Sequence, residues 1–262
     1  METKRTALVT GASGGIGLEL AKLFAKDKID LVLVARSADK LNALASELRS
    51  KFNVQVKVIA MDLSQSNAAV KIYDQLKGEK IEIEYLVNNA GIGTFGKFHA
   101  SEWKKDEEMI QLNIFALTQL TKLFVKDMVA RKSGRILNVA STAAFQPGPL
   151  MSIYYASKSY VLLFTEAIAN ELEGTGVTAT VLCPGPTETG FMEAASMADS
   201  TLFKLTKPVA ARGVAEDGYR AMMKGKVVTI SGIMNAMTAN MVRLFPRSLV
   251  RRIARRINDT VS

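Results

Sequence analysis

The sequence predicts an α/β domain: a single parallel sheet, doubly wound, with helices on both faces. Three observations carry that prediction. Short β-branched runs such as Asp30–Ala35 and Val54–Ala60 alternate with amphipathic stretches of helical period. A glycine-rich turn joins the first run to the first helical stretch. Polar residues recur where the runs end, at the rim where open parallel sheets bind ligands.

Composition sets the frame. With 262 residues, 48% hydrophobic and 23% charged, the chain has the makeup of a folded domain, and no Pro/Gly/Ser-rich linker divides it. We expect one catalytic domain over 1–240, with a substrate lid near 190–208, followed by a basic amphipathic extension over 241–262. The first nine residues run straight into a strand without a secretory apolar core, so export is not expected and a cytoplasmic location is. The apolar stretch Val227–Val242 is broken by Ser231, Asn235, Thr238 and Asn240, short of the roughly 20 apolar residues of a spanning helix. Cys183 is the only cysteine and lies in an apolar run, where it reads as core. His99 is the only histidine and Trp103 the only tryptophan, and both read as local packing or surface residues. With no cluster of histidine and cysteine, no metal site and no Ser-His-Asp triad are expected.

The strand ending at Ala7-Leu8-Val9 leads into Thr10-Gly11-Ala12-Ser13-Gly14-Gly15-Ile16-Gly17, and a helical pattern follows from Leu18. Such glycines permit positive φ, let the backbone approach a pyrophosphate and bring helix against strand. The helix N-terminus adds free N–H groups and partial positive charge, so the unit reads as a Rossmann-type dinucleotide site. The next strand, Asp30–Ala35, ends at Arg36, nineteen residues beyond Gly17. An acid there would bind the ribose 2′-hydroxyl of NAD; arginine instead pairs with the 2′-phosphate of NADP. Arg36 therefore indicates NADP(H), with Ser13, Ser37 and Lys40 as helpers.

A helix over about Asp39–Lys51 precedes the strand Val54–Ala60, which ends at Met61-Asp62-Leu63 and puts Asp62 at the ligand rim. Tyr85-Leu86-Val87 runs into Asn88-Asn89-Ala90-Gly91, whose amides can satisfy either backbone groups or a cofactor. Residues 102–131 read as helices that embed Asn113 among apolar neighbours, and a buried amide needs partners. The strand Arg135–Val139 brings Ser141 to the same rim, where its hydroxyl can hold a substrate oxygen.

In Ser152-Ile153-Tyr154-Tyr155-Ala156-Ser157-Lys158, Tyr154 and Lys158 share a helix face at i and i+4. A cation within a few ångströms can lower a phenol's pKa by roughly 1–3 units, which makes the tyrosine a general acid or base. Helix geometry alone leaves Tyr155, at i−3 from Lys158, as an alternative partner. After the strand Val177–Cys183, Pro184-Gly185-Pro186 fix a rim loop whose Thr187 and Thr189 can contact a ligand. Phe191, Met192, Met197, Leu202 and Phe203 give the expected lid an apolar lining suited to a hydrophobic substrate. A helix near Val209–Lys224 and a strand Val227–Ile230 close the alternation.

Taken together, Thr10-Gly11-x-x-x-Gly15-x-Gly17, Asn88-Asn89-Ala90-Gly91, Asn113, Ser141, Tyr154-x-x-x-Lys158 and Pro184-Gly185 resemble the single-domain, NADP-preferring branch of the short-chain dehydrogenase/reductase family, over roughly residues 4–230. The resemblance implies hydride transfer at the nicotinamide and chooses Tyr154 over Tyr155, by its place thirteen residues after Ser141. It implies that Tyr154 passes the proton and Ser141 holds the carbonyl oxygen. Lys158 would bind the nicotinamide ribose and lower the tyrosine pKa, and Asn113 would anchor a water relay. Asp62 and Leu63 would flank the adenine, Asn89 would support the cofactor site, and Thr187 and Thr189 would approach the carboxamide. The expected activity is NADPH-dependent reduction of a ketone or aldehyde, or oxidation of the alcohol, by a homodimer or homotetramer. The hydrophobic substrate would be a 3-oxoacyl, fatty or steroid-like compound. The competing reading is an NADP(H) sensor without turnover.

The net charge of +9 owes much to Arg243, Arg247, Arg251, Arg252, Arg255 and Arg256. Their alternation with apolar residues at helical spacing suits either peripheral contact with an anionic membrane or a solvated helix packed on its own subunit. Nucleic acid is not an expected partner, because aromatic stacking residues do not regularly interleave the charges.

Overall fold

A computed structural model describes residues 5–190 and 208–259. Within them β1 (Thr6–Thr10), β2 (Asp30–Ala35), β3 (Val56–Ala60), β4 (Tyr85–Asn88), β5 (Gly134–Val139), β6 (Val177–Cys183) and β7 (Val228–Ile230) form one sheet in the order β3-β2-β1-β4-β5-β6-β7. Every pairing is parallel; β1 meets β2 through Val9 and Leu33, and β4 through Leu8 and Leu86. The chain winds outward in both directions from β1 and β4, so a crevice opens over their carboxyl ends.

Strand residues alternate between two helical layers. Ala7, Val9, Leu31 and Leu33 face α1 (Gly15–Lys26), α2 (Ala38–Phe52) and, farther along the sheet, α7 (Ala211–Met223), through Phe24, Leu41 and Met222. Leu8, Val32, Val34 and Leu86 face α3 (Ala68–Gly78) and α5 (Leu117–Ala130), through Ile72, Leu76 and Phe124. The third cluster joins Cys183 to Val161 and Leu162 of α6 (Ser152–Glu171). Phe24 stands edge-on to Tyr219 with ring centroids 4.9 Å apart, which locks α1 to α7.

The stretch expected as helices over 102–131 contains α4 (Trp103–Ile110) and α5, with a π-helical segment at Gln111–Ala116 between them. Its wider turn has a visible occasion: Asn113 is fully enclosed and must aim its amide at the backbone of Ile92. Beyond β7, α8 (Ile233–Met241) and α9 (Arg247–Asn258) complete the described chain. On α9, Val250, Ala254 and Asn258 recur every fourth residue and are buried, so this face packs on the body while the arginines point outward. No described helix is long and apolar enough to cross a membrane. The lid residues Phe191, Met192, Met197, Leu202 and Phe203 lie outside the described residues.

Candidate active site

The crevice holds a cavity of about 650 Å³, with Arg36 and Lys40 at one end and Gln146, Met151 and Tyr154 at the other. At the first end, Gly11 and Gly15 adopt φ of +66° and +54°, the left-handed region that glycine enters without strain. Gly17 is needed for a different reason: a Cβ there would lie 2.4 Å from the Gly11 carbonyl oxygen. The turn is braced from β4. Asn89 Nδ2 donates to the carbonyls of Thr10 (2.9 Å) and Gly11 (3.3 Å), and the Thr10 hydroxyl accepts the N–H groups of Asn89 and Ala90. Asn89 thus shapes the turn through its backbone.

The first turn of α1 carries no acidic residue and no side-chain cap, so its N–H groups and positive dipole end face the cavity unshielded. Exposed Arg36 and Lys40 flank this anion-binding end, with Ser37 between them. Across it, partial burial alone would raise the Asp62 carboxyl. Hydrogen bonds from the Ser64 N–H (3.0 Å) and hydroxyl (2.7 Å), together with the Arg36 charge and Gln65, hold it below the usual range. The opposite wall is the Pro184–Gly190 segment, in which Thr187–Glu188 pair in parallel with Val209–Ala210. There Thr187 donates to the Gly185 carbonyl at 2.8 Å, and the Thr189 methyl lies where a Gly15 side chain would go. A turn stripped of side chains, a bare helix N-terminus and an arginine-lysine pair fit the phosphates of a dinucleotide with a further 2′-phosphate.

At the other end Ser141 caps a short 3₁₀ turn, its Oγ accepting the Ala143 N–H at 3.1 Å. Its hydroxyl reaches the Pro184 carbonyl at 3.5 Å and lies close enough to the Tyr154 phenol to oppose the rise in that group's proton affinity. Lys158 is 5% exposed and donates to the Val139 carbonyl at 2.9 Å. Behind it, Asn113 accepts the Ile92 N–H (3.0 Å), donates to the Ile92 carbonyl (2.9 Å) and donates to Ser157 Oγ (3.1 Å).

The electrostatics correct one expectation. Lys158 was expected to lower the Tyr154 pKa, yet burial pushes the phenol up to about 12, with Tyr155 adding to the shift and Ser141 opposing it. The reason is that the ammonium points at Val139 and stands 5.8 Å from the Tyr154 ring centre, while both groups are withdrawn from water. Burial draws Lys158 itself down to about 8. Cys183, read as core, is indeed buried, and the same desolvation raises its thiol to about 12 against the opposing charge of Lys158. At neutral pH the arrangement presents a protonated phenol beside a serine hydroxyl, which is the form of a proton donor.

Gly11, Ser13, Gly15, Ile16, Arg36, Ser37, Asp62, Leu63, Asn89, Ala90, Gly91, Ser141, Tyr154, Lys158, Pro184, Gly185, Thr187 and Thr189 all line the one cavity. Gly17 and Asn113 do not; they lie behind its wall. Sequence reasoning passed over Ile92, Leu112, Gln146, Met151 and Tyr155 as wall residues. Ile92 was within reach, since it directly follows the Asn88–Gly91 run. Tyr155 stood out only as an alternative partner for Lys158, and Leu112, Gln146 and Met151 carry no local pattern. Asn88, first of the paired amides, turns inward: it donates to Thr121 Oγ1 (3.0 Å) and Asn138 Oδ1 (2.9 Å), tying β4 to α5 and β5.

Comparison with known proteins agrees with this geometry. A family model described as short chain dehydrogenase matches residues 5–199. The very-long-chain 3-oxoacyl-CoA reductase of Homo sapiens is 36% identical over 179 residues, 65% of this chain and 55% of that protein. The 7beta-hydroxysteroid dehydrogenase of Collinsella aerofaciens is 32% identical over 182 residues, 70% of this chain and 68% of that protein. Among solved structures, a short-chain dehydrogenase from Sphingobium yanoikuyae in complex with NADPH matches with a TM-score of 0.82 at 31% identity, covering 92% of this chain and 94% of that one. The matched region spans little more than half the length of the human relative.

Proposed function

The chain belongs to the short-chain dehydrogenase/reductase family, and from that membership we propose that it is an NADPH-dependent reductase of ketones or aldehydes, able to oxidise the corresponding alcohols. The observation that carries this reading is the Ser141-Tyr154 hydroxyl pair at one end of a cleft whose other end has the glycine turn and Arg36. Among its relatives are a 3-oxoacyl-CoA reductase and a hydroxysteroid dehydrogenase, which support a hydrophobic carbonyl substrate of 3-oxoacyl, fatty or steroid-like type.

In this mechanism Arg36, Lys40 and the α1 N-terminus would hold the phosphates of the dinucleotide, and Lys158, lining the cavity beside Gly91, would hold a ribose. When bound, NADPH supplies the hydride that adds to the carbonyl carbon. Ser141 donates a hydrogen bond to the carbonyl oxygen and so stabilises the negative charge that develops there. Tyr154 gives its proton to that oxygen, completing the alcohol. Burial keeps the phenol in its protonated form at neutral pH, the form that can give up a proton to the developing alkoxide, although the raised proton affinity by itself makes it a weaker acid. Asn113 fixes the Gly91-Ile92 backbone against α6 through Ser157, holding Tyr154 and Lys158 in register.

The test is to follow NADPH oxidation by the purified protein with a 3-oxoacyl thioester and a steroid ketone, alongside NADPH binding by fluorescence. Absence of NADPH binding would sink the reading; binding without turnover across a broad carbonyl panel would leave a sensor.

The same reading includes a homodimer or homotetramer. It is supported by Phe115, Tyr160 and Leu163, which are exposed around the Thr118-Tyr160 hydrogen bond between α5 and α6. It also includes peripheral contact with an anionic membrane. Half of the large exposed hydrophobic side chains among the described residues fall between Ile233 and Ile253, where Ile233 and Leu244 are 84% and 82% exposed, interleaved with arginines. Sedimentation with anionic vesicles at low and high salt tests that contact, and no binding at low salt ends it.

A further inference from the structure

Gln146 and Met151 line the substrate end of the cavity, and the segment between them is under backbone tension. Leu150 holds φ of +71°, a conformation that side chains with a Cβ resist and that persists only where surrounding contacts enforce it. Two of those contacts are backbone bonds: the Gly96 N–H to the Leu150 carbonyl at 2.8 Å, and the Met151 N–H to the Gly148 carbonyl at 3.0 Å. The third comes from the far end of the chain. Asn258, on the last turn of α9, donates from Nδ2 to the Pro149 carbonyl at 3.0 Å.

The same amide reaches the other side of the segment. Asn258 Oδ1 accepts the hydroxyl of Tyr155 at 3.1 Å. Tyr155 lines the cavity beside Tyr154, their rings edge to face with centroids 6.1 Å apart. Gly148 lies flat against the Tyr155 ring, since a Cβ on it would come within 2.1 Å of that ring. Asn258 is 1% exposed, and Val250 and Ala254 seat the two preceding turns of α9. An amide so buried, with its oxygen and nitrogen both engaged, is held in one orientation.

We infer that Asn258 is a positioning residue for the reaction: through Pro149 and Tyr155 it sets the wall against which the substrate lies, which makes α9 part of the active site. The inference rests on the proposed reductase activity only for its kinetic readout. Because the bonds fall on the substrate wall and not on the glycine turn, losing them loosens substrate binding and leaves NADPH binding alone.

Three variants in the full-length protein test this. Asn258→Ala removes both bonds, and Asn258→Asp retains an acceptor for Tyr155 but no donor for Pro149. Asn258→Ala combined with Leu150→Gly removes the tension that the amide restrains. With the 3-oxoacyl thioester and the steroid ketone as probes, Asn258→Ala should raise KM about tenfold with kcat within about twofold. Asn258→Asp, which sets a buried carboxylate against the Pro149 carbonyl, should raise KM at least as far as Asn258→Ala, and the added Leu150→Gly should bring KM of the alanine variant back to within about twofold of wild type. Hydrogen exchange of the 146–151 amides should quicken in Asn258→Ala while that of the glycine turn is unchanged. Unchanged KM and exchange overturn the inference. So does a parallel loss of kcat, NADPH affinity and thermal stability that Leu150→Gly leaves uncorrected, since that outcome marks Asn258 as a general fold contact. If the wild type reduces neither probe, the 3-oxoacyl or steroid substrate class fails, while hydrogen exchange still decides the clamp.

Discussion

The two ends of the cavity are built by different means. The NADP end is assembled from short runs, Gly11–Gly17, Arg36–Lys40, Met61–Leu63 and Asn89–Ile92, each at the carboxyl end of a strand. Its shape follows from backbone conformation and strand order. At the other end the contacts meet only in space: the side chains of Tyr155 and Asn258 are separated by 103 positions, and the Asn258 amide and the Pro149 carbonyl by 109. Local backbone geometry leaves a signature in sequence, whereas a distant side-chain contact does not. The first end is therefore generic, and the second is where this chain acquires its own character.

That contrast can be broken most sharply at the reacting pair. Tyr154→Phe should lower kcat about 10³-fold, the scale of a lost general acid, while Tyr155→Phe keeps most of kcat and raises KM. Steady-state kinetics on both variants decides it; the reverse pattern would move the proton donor to Tyr155. At the NADP end, Gly17→Ala forces a methyl against the Gly11 carbonyl and the Asn89 amide. Backbone cannot swing aside, so we expect a loss of about 3 kcal/mol in urea unfolding, with NADPH binding lost as well. Arg36→Ala should weaken NADPH binding about 10- to 100-fold and leave NADH binding unchanged, which titration with each nucleotide would reveal.

The smallest effect concerns stability. Lys158 has a folded pKa of about 8, below the ordinary lysine value of roughly 10.4. Between these values the unfolded chain binds the extra proton, so stability contributed at this site rises with pH across that window, and the full cost of burying the ammonium applies below it. Lys158→Met should thus be inactive yet more stable than wild type by about 1–3 kcal/mol near pH 7, less whatever the lost Val139 bond removes. The advantage should vanish near pH 10. Urea unfolding at both pH values measures it, and an advantage that grows with pH would show that the site is not desolvated as described.

Most of the NADP wall was legible because it depends on what glycine, arginine and the ends of strands can do wherever they stand. Asn113 could be picked out, but its place behind the wall, engaged with Ile92 across a π-helical segment, could not. The Tyr154-Lys158 spacing was legible as a pair on one helix face, yet the sign of the tyrosine shift was misread. Spacing gives proximity; burial decides which way a proton affinity moves, and here desolvation raises it against the opposing Ser141 hydroxyl. Asn258 gave no signal at all, standing among arginines like any exposed polar residue.

By itself, then, the sequence determined the alternating α/β pattern and the glycine turn, and it nominated Arg36 and the Ser141, Tyr154 and Lys158 groups, because each is a property of a few adjacent residues. Only the tertiary structure decided how those groups are charged, which side chains wall the substrate end and which face of the arginine-rich helix packs inward. Those outcomes depend on distances between residues far apart in the chain and on water excluded by the fold.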